Sequence, residues 1–271
     1  MRVHLCALAA LLSAPAAADP GPPLQPNGKW VVNFDDAQCF AARDYGTADK
    51  PLVFAFKTPP AGDIVQINVV RKGRGGRYAE QIPVEIATGS NEPIETTMVA
   101  FDHREDGQRI YRMNVALEHL PALRSAKVLT IDGESELHES FALEQMADVF
   151  ELMDQCVAGL RELWNYAPGE APNPTFRRRA TGDLTSAFEA ADYPSDALRE
   201  DQSGLVTVVV LIDEQGKVAD CTVTKSSGVA VLDAQSCAVI RARAKFEPAI
   251  GADGRPAKDL LTQTVRWRIG R

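Results

Sequence analysis

The sequence predicts an α+β protein: an N-terminal, mainly β domain with a long C-terminal helix, then a small α+β domain with an antiparallel sheet and one main helix. Three observations carry this reading. From Trp30 to Ile131, short alternating runs recur at spacings of roughly a dozen residues. From about Leu143 to Leu163 the apolar period lengthens to that of a helix. From Tyr193 to Arg271 the order is strand, strand, helix, strand. The expected boundaries are a cleavable signal peptide over 1–18, a Pro-rich extended segment over 19–27, the mainly β domain with its helix over 28–165, a linker over 166–183 and the small domain over 184–271.

Arg2 gives the first segment a short positive start, Leu5 to Leu12 is apolar, and Ala16-Ala-Ala18 fits a cleavage site before Asp19. A spanning helix needs about 20 apolar residues, so this one is too short. Cys6 stands too early for a lipid-attachment cysteine. Export, cleavage near Ala18 and a periplasmic location are expected. Pro20, Pro22, Pro23 and Pro26 then predict an extended segment that does not pack.

Trp30, Val32 and Phe34 alternate, and Cys39 follows an Asp35-Asp36 turn. Leu52 to Phe56 and Ile64 to Val70 read as strands on either side of Pro59-Pro60-Ala-Gly62. After a turn rich in glycine and arginine (71–77) come Ile82 to Ile86, Glu95 to Phe101, Arg109 to Val115 and Val128 to Ile131, with Asp106-Gly107 as a tight turn. A sandwich or curled sheet follows. Phe141, Met146, Val149, Leu152, Met153, Cys156, Leu160 and Leu163 then trace a helical stripe. Pro168, Gly169, Pro172 and Pro174 suit a connector, and Arg177-Arg-Arg179 reads as its solvated joint.

In the small domain Leu205 to Ile212 is a continuous apolar or β-branched run, opened by Gly204 and closed by Asp213-Glu-Gln-Gly216. Lys217 to Lys225 alternates, with Ala219, Cys221 and Val223 on one face, and the short turn between the runs signals a hairpin. After Ser226-Ser-Gly228 the residues Val229, Leu232, Cys237, Ile240 and Ala244 fall near one helical face, while Asp233, Arg241, Arg243 and Lys245 are polar. Leu261 to Ile269 alternates again: Leu261, Gln263, Val265, Trp267 and Ile269 point one way, and Thr262, Thr264, Arg266 and Arg268 the other.

These words, in this order, resemble the C-terminal domain of the TonB energy-transducer family. They are Tyr-Pro at 193–194, Ala-Leu-Arg at 197–199, Gly204, Ile-Asp-Glu-Gln-Gly at 212–216, Ser-Ser-Gly at 226–228, Leu-Asp at 232–233, Arg-Ala-Lys-Phe-Glu-Pro-Ala at 243–249, Gly254 and Pro256. The resemblance spans residues 192–271 only. It implies docking of a short extended segment of an outer-membrane receptor beside a sheet edge. One departure matters: family transducers keep an N-terminal membrane helix and a long Pro-rich spacer, where this chain has a leader and a globular domain. Separately, Trp30-x-Val32-x-Phe34 followed by Cys39 and Ala41-x-Arg43 is similar to exported bacterial proteins of the invasion-associated locus B type, without carrying a function across.

The net charge of −8 makes nucleic acid and anionic membrane surfaces poor partners, since both need cationic patches. Without the leader, Cys39, Cys156, Cys221 and Cys237 remain, an even count that in an exported chain points to disulfides. Three pairings are open; the domain layout selects Cys39 with Cys156 and Cys221 with Cys237. No two cysteines stand at metal-ligand spacing and no histidine flanks them. His103, His119 and His138 stand alone, and Gly73 to Gly76 is not followed by the Lys-Ser/Thr of a phosphate loop. Asp35-Asp36 is a carboxylate pair at a turn position, and Ser226-Ser227 has no base nearby in sequence.

The expectation is therefore a non-enzymatic binding or adaptor protein of the cell envelope, with no cofactor, no metal and no membrane span after leader cleavage. Its partner is a protein, an outer-membrane receptor segment for instance. Thr262, Thr264, Arg266 and Arg268 are its candidate partner-binding residues on an edge strand. The alternatives are a membrane-anchored energy transducer and a periplasmic enzyme with its site in residues 28–165.

Overall fold

The computed structural model describes residues 21–73, 79–89, 92–103, 106–133, 136–166 and 175–270. The expected signal peptide lies outside these residues, as do Gly75, Gly76 and the linker residues Pro168, Gly169, Pro172 and Pro174.

The first half is built from strands β1 (Val31–Phe34), β2 (Cys39–Gly46), β3 (Pro51–Thr58), β4 (Ile64–Lys72), β5 (Ala79–Ala87), β6 (Ile94–His103), β7 (Gln108–Ala116), β8 (Val128–Gly133) and β9 (Leu137–Ala142). Helix α1 (Leu120–Ser125) precedes β8, and α2 (Met146–Leu163) follows β9. The described strands form one antiparallel sheet in the order β1-β2-β3-β4-β7-β6-β5-β8-β9. Alternation puts Phe54, Phe56, Ile67, Val69, Tyr111 and Met113 inside, where Phe56 and Phe150 of α2 stack at 5.0 Å. A disulfide joins Cys39 of β2 to Cys156 of α2, with Cα atoms 5.9 Å apart.

Several sequence expectations change here. β2 is a strand without an apolar alternation in the sequence, because its inward row is Cys39, Ala41, Arg43 and Tyr45, with an arginine in the core. Arg43 is buried because its Nε donates to Gly28 O at 2.7 Å and its guanidinium pairs with Glu144 at 3.3 Å. Phe141 belongs to β9 and not to the helical stripe, which begins at Met146 after Gln145 turns the chain with φ 60°. Leu152 and Leu163 are exposed, so the buried face of α2 is narrower than the stripe.

The Pro-rich segment also packs, against expectation. Leu24 N donates to Ser140 O at 2.7 Å, and Ala142 N donates to Leu24 O at 2.9 Å. Three residues on, Asn27 N donates to Asp44 O at 2.8 Å. Residues 21–27 thus strap β9 to β2 and close the curled sheet. The Tyr45 phenol donates across the same seam to Ala142 O, and burial pushes its pKa up to about 12.

The second half holds β10 (Phe176–Arg178), α3 (Ser195–Arg199), β11 (Gly204–Ile212), β12 (Val218–Lys225), α4 (Ala230–Arg243), β13 (Ala249–Gly251), β14 (Pro256–Ala257) and β15 (Asp259–Trp267). The main sheet has the order β12-β11-β15, all antiparallel, and a minor one runs β10-β13-β14. Val206, Val208, Val210 and Ile212 face Leu232, Cys237 and Ile240 of α4. Val209, Leu211 and Leu260 instead join the core of the large sheet. Because β11 is buried on both faces from Val208 to Ile212, that part of its sequence is apolar without a break. Cys221 of β12 is bonded to Cys237 of α4. The hairpin turn needs Gly216: its φ is +76°, and a Cβ there would sit 2.0 Å from Phe246 O. The register shifts between Leu211 and Ile212, so Ala219 falls in the irregularity and is exposed, off the face of Cys221 and Val223.

Candidate docking edge

β15 is an outer strand of the small sheet, paired on one side with β11 in unbroken register from Gly204↔Trp267 to Ile212↔Asp259. Its alternation follows the sequence. Val265 and Trp267 are buried toward α4, and Thr262, Thr264, Arg266 and Arg268 are exposed on the opposite face. The Trp267 indole is fixed by Ser236 Oγ at 2.9 Å and by the rings of Tyr193 and Phe188 at 5.2 and 5.4 Å.

The start of β15 shows which way its backbone points. Leu260 N donates to Asp259 Oδ1 at 2.8 Å, and Leu260 O accepts from the Arg179 guanidinium at 2.7 Å. Both polar groups of Leu260 are turned away from β11. In an antiparallel strand, residues alternate between those exchanging both bonds with a neighbour and those facing away from it. With no register break, the N–H and C=O groups of Thr262, Thr264 and Arg266 also face the outer side. Among the described residues nothing bonds to them.

Arg179 bounds this edge. Its Nε donates to both oxygens of Asp259, at 2.9 Å each, and Ala180 N donates to Asp259 Oδ2 at 2.7 Å. A fully buried carboxylate demands such partners. Arg178 pairs with Glu247 at 2.9 Å and donates to Pro248 O. Two of the three arginines read as a solvated joint therefore hold residues 176–180 to the small domain. The signal was Asp259 itself, a carboxylate opening an apolar run.

The opposite outer strand, β12, carries more charge. Asp220 pairs with Arg241 at 3.0 Å and Lys57 of β3 at 3.8 Å. Burial pushes its carboxyl up, but Lys57 and Arg241 outweigh burial and hold it below the usual carboxylate range. Burial lowers the pKa of Lys57, and Asp220 offsets this only in part. Asp233, expected on the polar face of its helix, is buried: it accepts from the Ser226 hydroxyl, Ser227 N and the Ser227 hydroxyl. Burial raises its pKa, and the two serines counter the rise. The serine pair thus caps the approach to α4.

The histidines lie beside carboxylates: His103 by Asp106 at 3.0 Å, His119 by Glu118 at 3.7 Å and His138 by Asp132 at 2.9 Å. Asp35 forms a turn, accepting from Ala37 N at 2.9 Å. Among the described residues no cluster of His, Cys, Asp and Glu is built to hold a metal ion, and no helix is long and apolar enough to cross a membrane.

The geometry defines a small α+β domain with one helix-backed sheet and an outer strand whose outward backbone groups beyond Leu260 have no partner among the described residues. Residues 189–269 match the family model of the Gram-negative bacterial TonB protein C-terminal domain. That match takes in α3, β11, β12, α4, β13, β14 and β15, and leaves the large sheet outside it. No curated protein and no solved structure matches the chain.

Proposed function

We propose that this protein is a TonB-like, non-enzymatic binding or adaptor protein of the bacterial cell envelope, and that it captures an extended segment of an outer-membrane protein along β15. The observation that carries the reading is the outward-facing backbone of Thr262, Thr264 and Arg266, which has no partner among the described residues, within the part of the chain that matches the TonB C-terminal family. An added strand would find main-chain donors and acceptors there, while Arg266 and Arg268 would favour acidic or polar side chains. The Leu260 end is closed by Arg179, so the docked segment would lie along residues 262–268. On this reading residues 28–165 and 184–271 are two domains, and the exported chain works in the periplasm after its leader is removed.

Capture from envelope extract by the immobilised protein is the test. Arg266→Glu with Arg268→Glu keeps the backbone and reverses the outward charge. Binding should weaken severalfold and lose its salt dependence. Thr264→Pro removes an outward donor and should also weaken capture. Unchanged capture by both folded variants would remove β15 from the function.

A further inference from the structure

Two outward carbonyls of β12 are taken, where those of Thr262, Thr264 and Arg266 on β15 have no partner among the described residues. Val223 O accepts from Asn114 Nδ2 at 3.3 Å and from Gln66 Nε2 at 3.5 Å, both from the outer face of the large sheet. Cys221 O accepts from the Arg241 guanidinium. Cys221 and Val223 are two residues apart, so both turn their polar groups away from β11. Gln66 is buried to 1% exposure by this contact. Lys57 reaches Asp220, and Gly62 lies so close that a Cβ would stand 2.8 Å from Thr224 Cγ2. Gln66 Nε2 also donates to Asn114 Oδ1 at 3.0 Å across the β4–β7 pair, so the two amides act as one unit. That unit meets a carbonyl that, left free, would accept from any extended chain.

An outer strand is self-complementary: two copies can pair the same edge about a two-fold axis. We infer that the outer face of the large sheet is an intramolecular cap on β12, which withholds that edge from a second copy of this chain and leaves β15 as the open flank. The cap gains functional meaning from the reading of β15 as a docking edge, but its test uses no partner, so either can fail alone.

Hydrogen exchange on the unmodified protein is the first measurement. The amides of Cys221 and Val223 should exchange about tenfold or more slowly than those of Thr262, Thr264 and Arg266. Equal rates at the two edges would overturn the cap, and so would a dimer of the unmodified protein whose assembly adds protection at β12 and not at β15. Asp220→Lys sets a lysine against Lys57 and should pry the cap open. The β12 amides should then speed up while Val208 and Val210 stay protected, and dimers should form. Adding Lys57→Asp to that variant should restore slow exchange and the monomer. A folded Asp220→Lys protein that stays monomeric with β12 still protected would overturn the proposal. Should that variant lose protection at Val208 and Val210 as well, the rates in the unmodified protein decide.

Discussion

β12 and β15 flank the same central strand, have similar lengths and are both antiparallel to it, yet they meet different surroundings. On β12 the outward carbonyls of Cys221 and Val223 are taken by Arg241, Asn114 and Gln66, and a disulfide ties the strand to α4. On β15 only Leu260 is taken, by Arg179, and the next outward residues have no described partner. The difference teaches that an edge is made available by its neighbours, and that alternation within the strand reports only its faces. Side chains, and not a further strand, close β12; such a closure depends on charge and can be altered one residue at a time.

The largest expected effect separates inward from outward backbone on β15. Val265→Pro removes a bond to β11 and a buried side chain, and should cost about 3 kcal/mol or more in urea unfolding. Thr264→Pro touches an outward N–H and should cost about 1 kcal/mol. Equal losses would mean that the strand is paired on both sides. Replacing Cys221 and Cys237 together by alanine should cost about 3 kcal/mol in the chain-entropy picture and loosen β12 while β15 is unchanged by exchange. Arg179→Met leaves Asp259 buried with two backbone donors, at a cost of about 2–3 kcal/mol; it should speed exchange at the start of β15 and not along β12.

The pH dependence should split Asp220 from Asp233. The folded-state pKa of Asp220 lies below its ordinary 3.8, so its stabilisation is present above that value and is lost as pH falls through the folded pKa. That of Asp233 lies above 3.8, so its contribution is full below that value and is lost as pH rises through the folded pKa. Unfolding midpoints followed between about pH 3 and 6 should show Asp220→Asn flattening the acid loss and Asp233→Asn flattening the opposite trend. The smallest effect is on the stability of the Arg266→Glu, Arg268→Glu protein, expected within about 0.5 kcal/mol by thermal unfolding.

Residues with one dominant period were legible in the sequence. Val208 to Ile212 could be read because burial on both faces leaves no polar residue in the run, and Thr262 to Arg268 because one face is wet. β2 and β9 were not legible, since Arg43 and Ser140 are inward polar residues satisfied by groups distant in sequence, Gly28 and Glu144 for the first and Thr130 for the second. Distance in sequence also hid Asp259, whereas the donors to Asp233, Ser226 and Ser227, lie only six or seven positions before it. A carboxylate looks solvated until the donors that surround it are known, and Arg179 stands eighty positions from Asp259. The outward direction of the β15 backbone was not legible either, because side-chain alternation fixes the faces of a strand and not which of its residues bond to the neighbour.

The strap at residues 21–27 sets an order of events. Its acceptors and donors lie at Asp44, Ser140 and Ala142, so the earliest described part of the chain finds its last partner only after β9 has been made. Closing so wide a loop is slow, and the Cys39–Cys156 bridge spans nearly the same interval, 117 positions. Until both are in place β9 has a bare flank, prone to pair with whatever extended chain is near. The Cys39–Cys156 bridge fastens α2 to β2 and does not involve the strap, so a chain trimmed past Leu24 should reach the oxidised state yet remain liable to aggregate through β9.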